Sequence, residues 1–193
     1  RALAPEPALL LLDEPFSGLD GSLRESVRAA VLTDLRRAGA SVLVVTHDPQ
    51  EAIAMADQLV LMAGGAVLQT GTPEQCYHDP VSTTAARLLG EVIVLPGVVR
   101  SGEYHGPIGT HAAPGLADGP ALLALRPHAM RIGGEGAPAT VTAVRFAGSG
   151  YATVLDLAGQ TLALPPLPRP QAVGELVRLS FDPALARVFS ADC

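Results

Sequence analysis

Two short apolar runs in the first fifty residues predict buried β-strands. Residues 8–12 form the first run, which ends at Asp13, and residues 41–46 form the second, which ends at His47. Uninterrupted apolar runs of this length are typical of parallel strands that are covered on both faces of a sheet. Asp13, its neighbour Glu14 and His47 are therefore predicted to stand at the carboxyl ends of two strands.

Between these runs, apolar residues recur at the spacing of a helix. The apolar positions are Leu23, Val27, Ala30, Val31 and Leu35. Ser22 and Glu25 form a capping-box pattern in front of them, and the helix is predicted to end near Gly39. After the second run, Asp48 can cap a further helix that begins at Pro49. The alternation of strands and helices predicts an α/β domain.

The pattern of the chain changes after Gly90. Before it, residues 58–63 and 66–70 predict a hairpin. A short helix is predicted to start at residues 72–75, and a further helical stretch runs to about Leu89. Beyond it lie 11 of the 17 prolines and 13 of the 20 glycines. Short apolar runs there predict strands at residues 92–100, 122–126, 139–146, 151–157, 160–164 and 175–181. The chain is thus predicted to contain an α/β domain over residues 1–90 and a small all-β barrel over residues 91–193.

The composition narrows the possible functions. The 193 residues carry a formal charge of −6, and all 13 basic residues are arginine. The negative charge disfavours binding to nucleic acid, which depends on clustered basic residues. The absence of lysine excludes a P-loop within these residues, because a P-loop places a lysine on the β- and γ-phosphates of a nucleotide.

The pattern gives no sign of a membrane segment or of a metal site built from cysteine and histidine. No apolar run approaches the roughly 20 residues that span a bilayer, and the first residues do not resemble a signal peptide, so the chain is predicted to be soluble. Cys76 and Cys193 lie far apart and are predicted to be reduced thiols. His105, His111 and His128 match no zinc-binding spacing and are interpreted as solvated loop residues.

The polar residues at the two strand ends indicate nucleotide chemistry. Ligands of open parallel sheets bind at the carboxyl ends of the strands. A carboxylate such as Asp13 can hold Mg²⁺ through its water shell, and a neighbouring acid such as Glu14 can orient and deprotonate an attacking water. An imidazole such as His47 can hydrogen-bond the γ-phosphate and that water. Each piece alone also fits a plain solvated helix start, and their occurrence together favours the catalytic interpretation.

Three motifs in this order resemble those of ABC ATPases. The run LLLLDEP at residues 9–15 resembles the Walker B strand, SGLD at residues 17–20 resembles the D-loop, and THD at residues 46–48 resembles the H-loop. The letters RAL at residues 1–3 resemble the end of the helix that follows the signature motif. The resemblance implies that residues 1–90 are the rear part of the ATPase domain.

The resemblance also implies cofactors, partners and roles. ATP and Mg²⁺ would be the cofactors, Glu14 and His47 would be catalytic, and Asp13 would bind Mg²⁺ through water. Ser17 and Asp20 would belong to the nucleotide-proximal loop at the dimer interface. The partners would be a second copy of the ATPase subunit and integral membrane permeases, with a periplasmic substrate-binding protein contacted only indirectly and no nucleic acid. The protein would lie on the cytoplasmic face of the inner membrane.

Several sequence motifs of the family are missing from this chain. The Walker A loop, the adenine-stacking aromatic residue, the Q-loop and the signature motif precede the matching region in the family, and none occurs in these 193 residues. Either a fragment of a longer polypeptide or a degenerate gene product would explain this, and the abrupt start inside a helix favours the fragment. The chain alone is expected neither to bind ATP tightly nor to hydrolyse it.

Residues after about 91 resemble the small OB-fold domain, called TOBE, that is appended to importer ATPases. LALRPH at residues 123–128 resembles its Arg-Pro-Glu segment, with His128 in place of the acid, and GEVIVLP at residues 90–96 most resembles ferric-iron importer ATPases. Polyamine, sugar, sulfate and molybdate importers are alternatives for the cargo. A regulatory module that binds a small ligand or a protein is the alternative function, and the β-domain disfavours a non-transport ABC ATPase.

Overall fold

The computed structural model describes residues 7–39 and 41–191 of the chain, which divide into two compact units between Cys76 and Tyr77. The predicted domain boundary near Gly90 lies further along the chain, within the second unit, and the assignment of two functional domains on either side of it stays a prediction. Strands predominate over helices in the described residues. No helix among them is long and apolar enough to cross a membrane.

Two sequence predictions fall on residues outside the described ranges. One is the family-like end of a helix at residues 1–3, and the other is the reduced thiol of Cys193. Cys76 is a fully buried free thiol, and burial raises its pKa. A thiol with a raised pKa stays protonated near neutral pH and is therefore unreactive.

The first unit begins with two parallel strands. β1 (Leu9–Asp13) pairs with β2 (Ser41–Val45), and α1 (Gly21–Ala38) lies between them in sequence. Alternate side chains of both strands, Leu11 and Leu43 among them, are exposed, and the intervening ones are half-buried. The expectation of strands covered on both faces is therefore wrong for the described residues, because this sheet contains two strands of the described chain and no more.

α1 ends where the sequence predicts but begins earlier. Gly39 has a φ of 65°, and its N–H donates to the carbonyl of Arg36 at 3.3 Å. Glycine adopts this left-handed conformation without a Cβ clash, which makes it a common helix terminator. At the other end Asp20 occupies the N-cap position and the helix starts at Gly21, so the predicted capping box at Ser22 is wrong in register.

The following elements keep the predicted order. They are α2 (Pro49–Met55), β3 (Leu59–Ala63), β4 (Ala66–Gly71), α3 (Pro73–His78) and α4 (Thr83–Leu88). β3 and β4 form the predicted antiparallel hairpin. Gly64 and Gly65 make its turn with φ values of 57° and 78°, as a two-residue hairpin of this kind requires.

The second unit contains two antiparallel sheets. Its strands are β5 (Ile93–Arg100), β6 (Glu103–Gly106), β7 (Gly109–Ala112), β8 (Gly119–Leu125), β9 (Met130–Phe146), β10 (Tyr151–Leu157), β11 (Gln160–Leu167), β12 (Leu176–Phe181) and β13 (Ala186–Ser190). One sheet has the order β13-β8-β5-β6-β7 and the other the order β11-β10-β9-β12. All six strands predicted after Gly90 overlap a strand of the structure, whereas β6, β7 and β13 were not predicted.

The two sheets of the second unit share one apolar core. Leu95 and Leu123 of the five-stranded sheet are fully buried in it, as are Leu155 and Leu179 of the other sheet. Along β10, buried and half-buried residues alternate, which is the pattern of a strand with one face on a core. The shared core agrees with the prediction of a barrel-like β-domain.

A buried tyrosine belongs to this core. Tyr104 on β6 donates its hydroxyl hydrogen toward the carbonyls of Leu95 and Pro96, at 3.0 and 3.2 Å. The ring lies directly against the backbone of Gly97 and Gly106, where an added Cβ would collide with it. Burial raises the pKa of Tyr104 to about 12, so the phenol stays neutral and keeps donating. The two glycines are therefore required for close approach of the ring.

Arg126 joins the residues before Gly90 to the β-strands of the second unit. Its guanidinium donates to the carbonyls of Ala86 and Glu91, at 3.0 and 3.3 Å, and lies 4.1 Å from the ring centroid of Tyr77. The residue is only 6% exposed, and burial lowers its pKa. These contacts of Arg126 with Tyr77, Ala86 and Glu91 form what we call the Arg126 clamp. They give a physical reason why the compact unit starts at Tyr77 and not at Gly90.

Candidate functional site

Glu14 and His47 come together at one edge of the parallel sheet. The register places Asp13 opposite Val45, so the residues that follow both strands leave the sheet side by side. The N–H of Glu14 donates to the carbonyl of Val45 at 2.8 Å. His47 Nδ1 and Glu14 Oε1 share a hydrogen bond of 2.6 Å, in which the carboxylate accepts. Two side chains 33 residues apart in sequence thus form one polar pair.

The backbone of Glu14 is held in an uncommon conformation. Its φ is 44°, in the left-handed region that non-glycine residues seldom occupy. The carbonyl of Glu14 accepts from both the N–H and the hydroxyl of Ser17, at 3.1 and 2.8 Å. These bonds close a tight turn after β1 and stabilise the strained residue. Strain of this kind concentrates at functional sites, where it fixes the direction of a side chain.

The electrostatics of the pair favour the charged form of His47. The hydrogen bond to Glu14 raises the pKa of His47, and the charge of Glu14 adds to this effect. Burial acts in the opposite direction, and the charges of Asp48 and Glu51 raise the pKa by smaller amounts. The imidazole is largely exposed, at 78% of its side-chain area, so it is accessible to a ligand outside the chain.

A second layer of polar residues supports the loop that carries His47. Thr46 Oγ1 donates to Glu51 Oε2 at 2.7 Å and accepts from the N–H of Asp48 at 3.0 Å. Asp48 caps α2, as predicted, by accepting from the N–H of Gln50 at 2.8 Å. Glu51 is only 3% exposed, which is unusual for a carboxylate and requires such partners. The loop is therefore fixed on both sides of His47.

Arg24 on α1 completes this layer. Its guanidinium donates to Asp48 Oδ2 at 3.3 Å and to the carbonyl of Leu19 at 3.0 Å, and its Nε lies 4.0 Å from Glu51 Oε1. The sequence pattern did not single out Arg24 or Glu51. The available signal was weak: one basic residue four positions after Asp20, and one acid three positions after a helix cap.

The structure places the other predicted site residues around this pair. Ser17 contacts Glu14 as described, and together with Arg24 and the His47 loop it lines an open depression of about 230 Å³. Asp13 is exposed at the end of β1, next to Glu14 in sequence. Asp20 is exposed at the N-terminus of α1. Neither Asp13 nor Asp20 contributes to the described lining of the depression.

The described residues offer a limited donor set for a metal ion. No group of three or more histidine, cysteine or carboxylate side chains gathers among residues 7–39 and 41–191. Mg²⁺ commonly keeps several waters and is bound by one or two carboxylates together with the phosphates of a nucleotide. The exposed carboxylate of Asp13 fits that mode of binding, in which the nucleotide supplies the remaining ligands.

The histidines of the second unit have ordinary protein partners. His105 pairs with Glu103 at 3.5 Å, and the His111 ring lies 5.7 Å from that of Phe181. Burial lowers the pKa of His111, and the charge of Arg187 adds to this. His111 is therefore not the fully solvated loop residue that the sequence suggested, because it lies on β7 and packs against an aromatic ring.

The chain is similar in sequence to known proteins. Residues 123–189 match the TOBE domain family. The chain is 39% identical over 152 residues to an Fe(3+) ions import ATP-binding protein of Rhodococcus jostii, covering 77% of this chain and 44% of that protein. It is 38% identical over 193 residues to another from Streptomyces avermitilis, covering 95% and 55%.

A sulfate/thiosulfate import ATP-binding protein of Rhizobium meliloti is similarly related. It is 41% identical over 163 residues, which cover 81% of this chain and 47% of that protein. The chain thus spans about half the length of the curated relatives it matches. It belongs to the family of ABC import ATP-binding proteins and corresponds to their C-terminal ATPase and TOBE region.

Proposed function

We propose that this chain supplies the water-activating half of the ATPase site in an ABC importer subunit. The observation that carries the proposal is the contact between Glu14 and His47 at the carboxyl ends of two parallel strands. A carboxylate and an imidazole at such a position can act together on one water and one phosphate. The family relationship supports ATP as the substrate of the whole subunit.

Glu14 and His47 have complementary roles in this proposal. Glu14 orients the attacking water and accepts its proton at the carboxylate. His47 hydrogen-bonds the γ-phosphate and holds the water in line with it. Because Nδ1 of His47 is bonded to the Glu14 carboxylate, the other ring nitrogen, Nε2, is the one that would donate to the phosphate. Ser17 and Asp20, on the loop after Glu14, face a second copy of the subunit.

Asp13 is the proposed magnesium-binding residue of the chain. Its carboxylate is exposed at the end of β1 and would hold the ion through water. When bound with ATP, Mg²⁺ neutralises the charge on the transferring phosphoryl group. At the end of β1, Asp13 thus binds the ion and Glu14 binds the attacking water.

The phosphate-binding half of the site lies outside these residues. The chain has no lysine for a P-loop. The exposed apolar face of β1 and β2, including Leu11 at 66% and Leu43 at 54%, also fits a sheet that is completed by further elements. We expect the chain alone to show no ATP turnover, and to work in a homodimer that binds membrane permeases at the cytoplasmic face of the membrane.

Ferric iron is the proposed cargo. Relatives from Rhodococcus jostii and Streptomyces avermitilis are named for Fe(3+) import, and the one from Rhizobium meliloti for sulfate/thiosulfate import. Iron uptake by cells that carry the intact transporter, compared with cells that carry the Glu14→Gln form, tests this assignment. Loss of sulfate uptake with unchanged iron uptake would contradict it.

A chimera tests the proposed activity. This chain replaces the aligned 55% of the Streptomyces avermitilis relative, and ATP hydrolysis is measured in the purified product. Glu14→Gln is expected to lower kcat by about 100-fold or more while ATP still binds, because the water loses its base. Glu25→Gln, which changes an exposed acid on α1, is the matched control and should leave kcat unchanged. Equal turnover in both variants would refute the role of Glu14.

A regulatory ligand site in the second unit is the second candidate function. A small open depression is lined by Tyr77, Arg126 and Arg187 with several apolar residues. Two guanidinium groups at one cavity could attract a small oxyanion. Thermal unfolding of the chain with sulfate, phosphate or molybdate tests this, since a ligand that binds only the folded state raises Tm. No rise with any of these anions would exclude the site for them.

A further inference from the structure

Arg24 connects the two loops that carry the candidate catalytic residues. The loop of residues 17–20 follows Glu14, and Arg24 NH2 donates to its Leu19 carbonyl at 3.0 Å. The loop of residues 46–48 carries His47, and Arg24 NH1 donates to Asp48 Oδ2 at 3.3 Å. A planar guanidinium that binds one acceptor on each loop fixes their relative position better than a point charge could.

The surroundings of Arg24 make this bridge costly to lose. Its side chain is about two-thirds buried, at 34% exposure, and Glu51 beside it is almost fully buried. Arg24 Nε, 4.0 Å from Glu51 Oε1, is itself buried and has no hydrogen-bond partner among the described residues. Removal of Arg24 would leave two carboxylates, those of Asp48 and Glu51, without their shared cation, and a buried carboxylate without a cation is destabilising.

Arg24 also pairs with two of the acids whose charges act on His47. Glu14 faces the imidazole from the end of β1, and Asp48 and Glu51 face it from α2; all three favour the protonated form. Arg24, which lies on α1, is the cation that pairs with Asp48 and Glu51. Without it, their uncompensated charges would stabilise protonated His47 further.

We propose that Arg24 is a positioning residue for ATP hydrolysis, which locks the loop after Glu14 to the loop of His47 and so presents the two side chains in one geometry. The proposal rests on the proposed ATPase function. It assigns to Arg24 no contact with nucleotide, and therefore predicts an effect on kcat with little effect on the KM for ATP.

The chimera described above provides the kinetic test. Arg24→Gln is expected to lower kcat by roughly ten- to a hundredfold, because a small misplacement of catalytic groups has effects of this size. The KM for ATP should stay within about twofold. Arg36→Gln, at an exposed position in the last turn of the same helix, is the matched control and should behave like the unsubstituted chimera. Equal kcat in the two variants would overturn the proposal.

Arg24→Lys separates geometry from charge. Lysine keeps the positive charge beside Asp48 and Glu51 but cannot bind both loops with a planar fork. NMR titration of the His47 imidazole, assigned by its loss in His47→Gln, should show a raised pKa in Arg24→Gln and a value near that of the parent in Arg24→Lys. In Arg24→Lys, kcat should still be reduced. A fully restored kcat in Arg24→Lys would contradict the bridging role, even if Arg24→Gln proved unfolded.

These measurements distinguish two kinds of failure. If the unsubstituted chimera hydrolyses ATP and Glu14→Gln abolishes turnover, the proposed function holds, and an unaffected Arg24→Gln overturns this inference alone. If Glu14→Gln retains full turnover, the proposed function fails. The NMR titration then still decides whether Arg24 controls the charge of His47, because it requires no nucleotide.

Discussion

Replacement of Arg126 by methionine should selectively destabilise the second unit. Arg126 is the buried cation that donates to the carbonyls of Ala86 and Glu91 and stacks on Tyr77. Methionine fills much of the same volume, but it leaves the carbonyl of Glu91 without this donor and the carbonyl of Ala86 with only the N–H of Leu89. The change therefore removes the clamp and little of the packing.

The size of the effect follows from these contacts. Hydrogen bonds from a charged donor contribute about 1.5–3 kcal/mol each, and the stacking contact about 1 kcal/mol. The cost of burying a guanidinium without a carboxylate partner offsets part of this gain, and methionine avoids that cost. We expect a net loss of about 3 kcal/mol in the free energy of unfolding, which corresponds to a fall of about 10 °C in Tm for a unit of this size.

Tyrosine fluorescence is the appropriate assay. The chain has no tryptophan, and its three tyrosines, Tyr77, Tyr104 and Tyr151, all lie in the second unit. Thermal or urea unfolding followed at tyrosine emission therefore reports on that unit alone. Arg100→Met, at an exposed position at the end of β5, is the control and should shift Tm little. A shift for Arg126→Met no larger than that of the control would refute the clamp.

Four further predictions concern the buried tyrosine and the candidate catalytic pair. Gly97→Ala should destabilise the second unit by about 2 kcal/mol or more in the same assay, because its Cβ would collide with Tyr104, and unchanged stability would contradict the close packing. Tyr104→Phe should cost about 1 kcal/mol through the lost hydroxyl bonds, and an equal or higher Tm would count against them. Glu14→Gln should lower the pKa of His47 in an NMR titration, since the carboxylate is the main cause of its elevation. The pKa of His47 is higher in the folded state than in the unfolded state. The Glu14–His47 pair therefore contributes its full stabilisation at pH values below the pKa of an unfolded histidine. This stabilisation is lost as the pH rises through the raised pKa of the folded state. Stability differences between the parent and His47→Gln that grow with rising pH would contradict this sign.

Much of the first unit could be predicted because local signals and tertiary structure agree there. The strand ends at Asp13 and before His47, the glycine that terminates α1 at Gly39, and the Asp48 cap of α2 are all features of adjacent residues. Parallel pairing then brings the two strand ends together, which is a general property of β-α-β units. The sequence therefore predicted that Glu14 and His47 stand at the carboxyl ends of two strands, whereas their hydrogen bond is a finding of the structure.

Residues that act across long sequence separations could not be predicted in the same way. Arg24 contacts Asp48 across 24 positions, and Arg126 contacts Ala86 across 40. The sequence pattern around an isolated arginine on an amphipathic helix predicts a solvated side chain. Its hydrogen-bond acceptors can be identified only from the folded structure. β6 and β7 were missed because they have four residues each and contain glycines at their ends, so they resemble turns.

The most direct test of the account is a double-mutant cycle on Glu14 and His47 in the ATP-hydrolysing chimera. The turnover number is measured for the parent, for Glu14→Gln, for His47→Ala and for the double variant. If the two side chains act as one unit on one water, the double variant should be hardly slower than the slower single variant. If the two losses instead multiply independently, the claim that Glu14 and His47 form a single catalytic pair is contradicted.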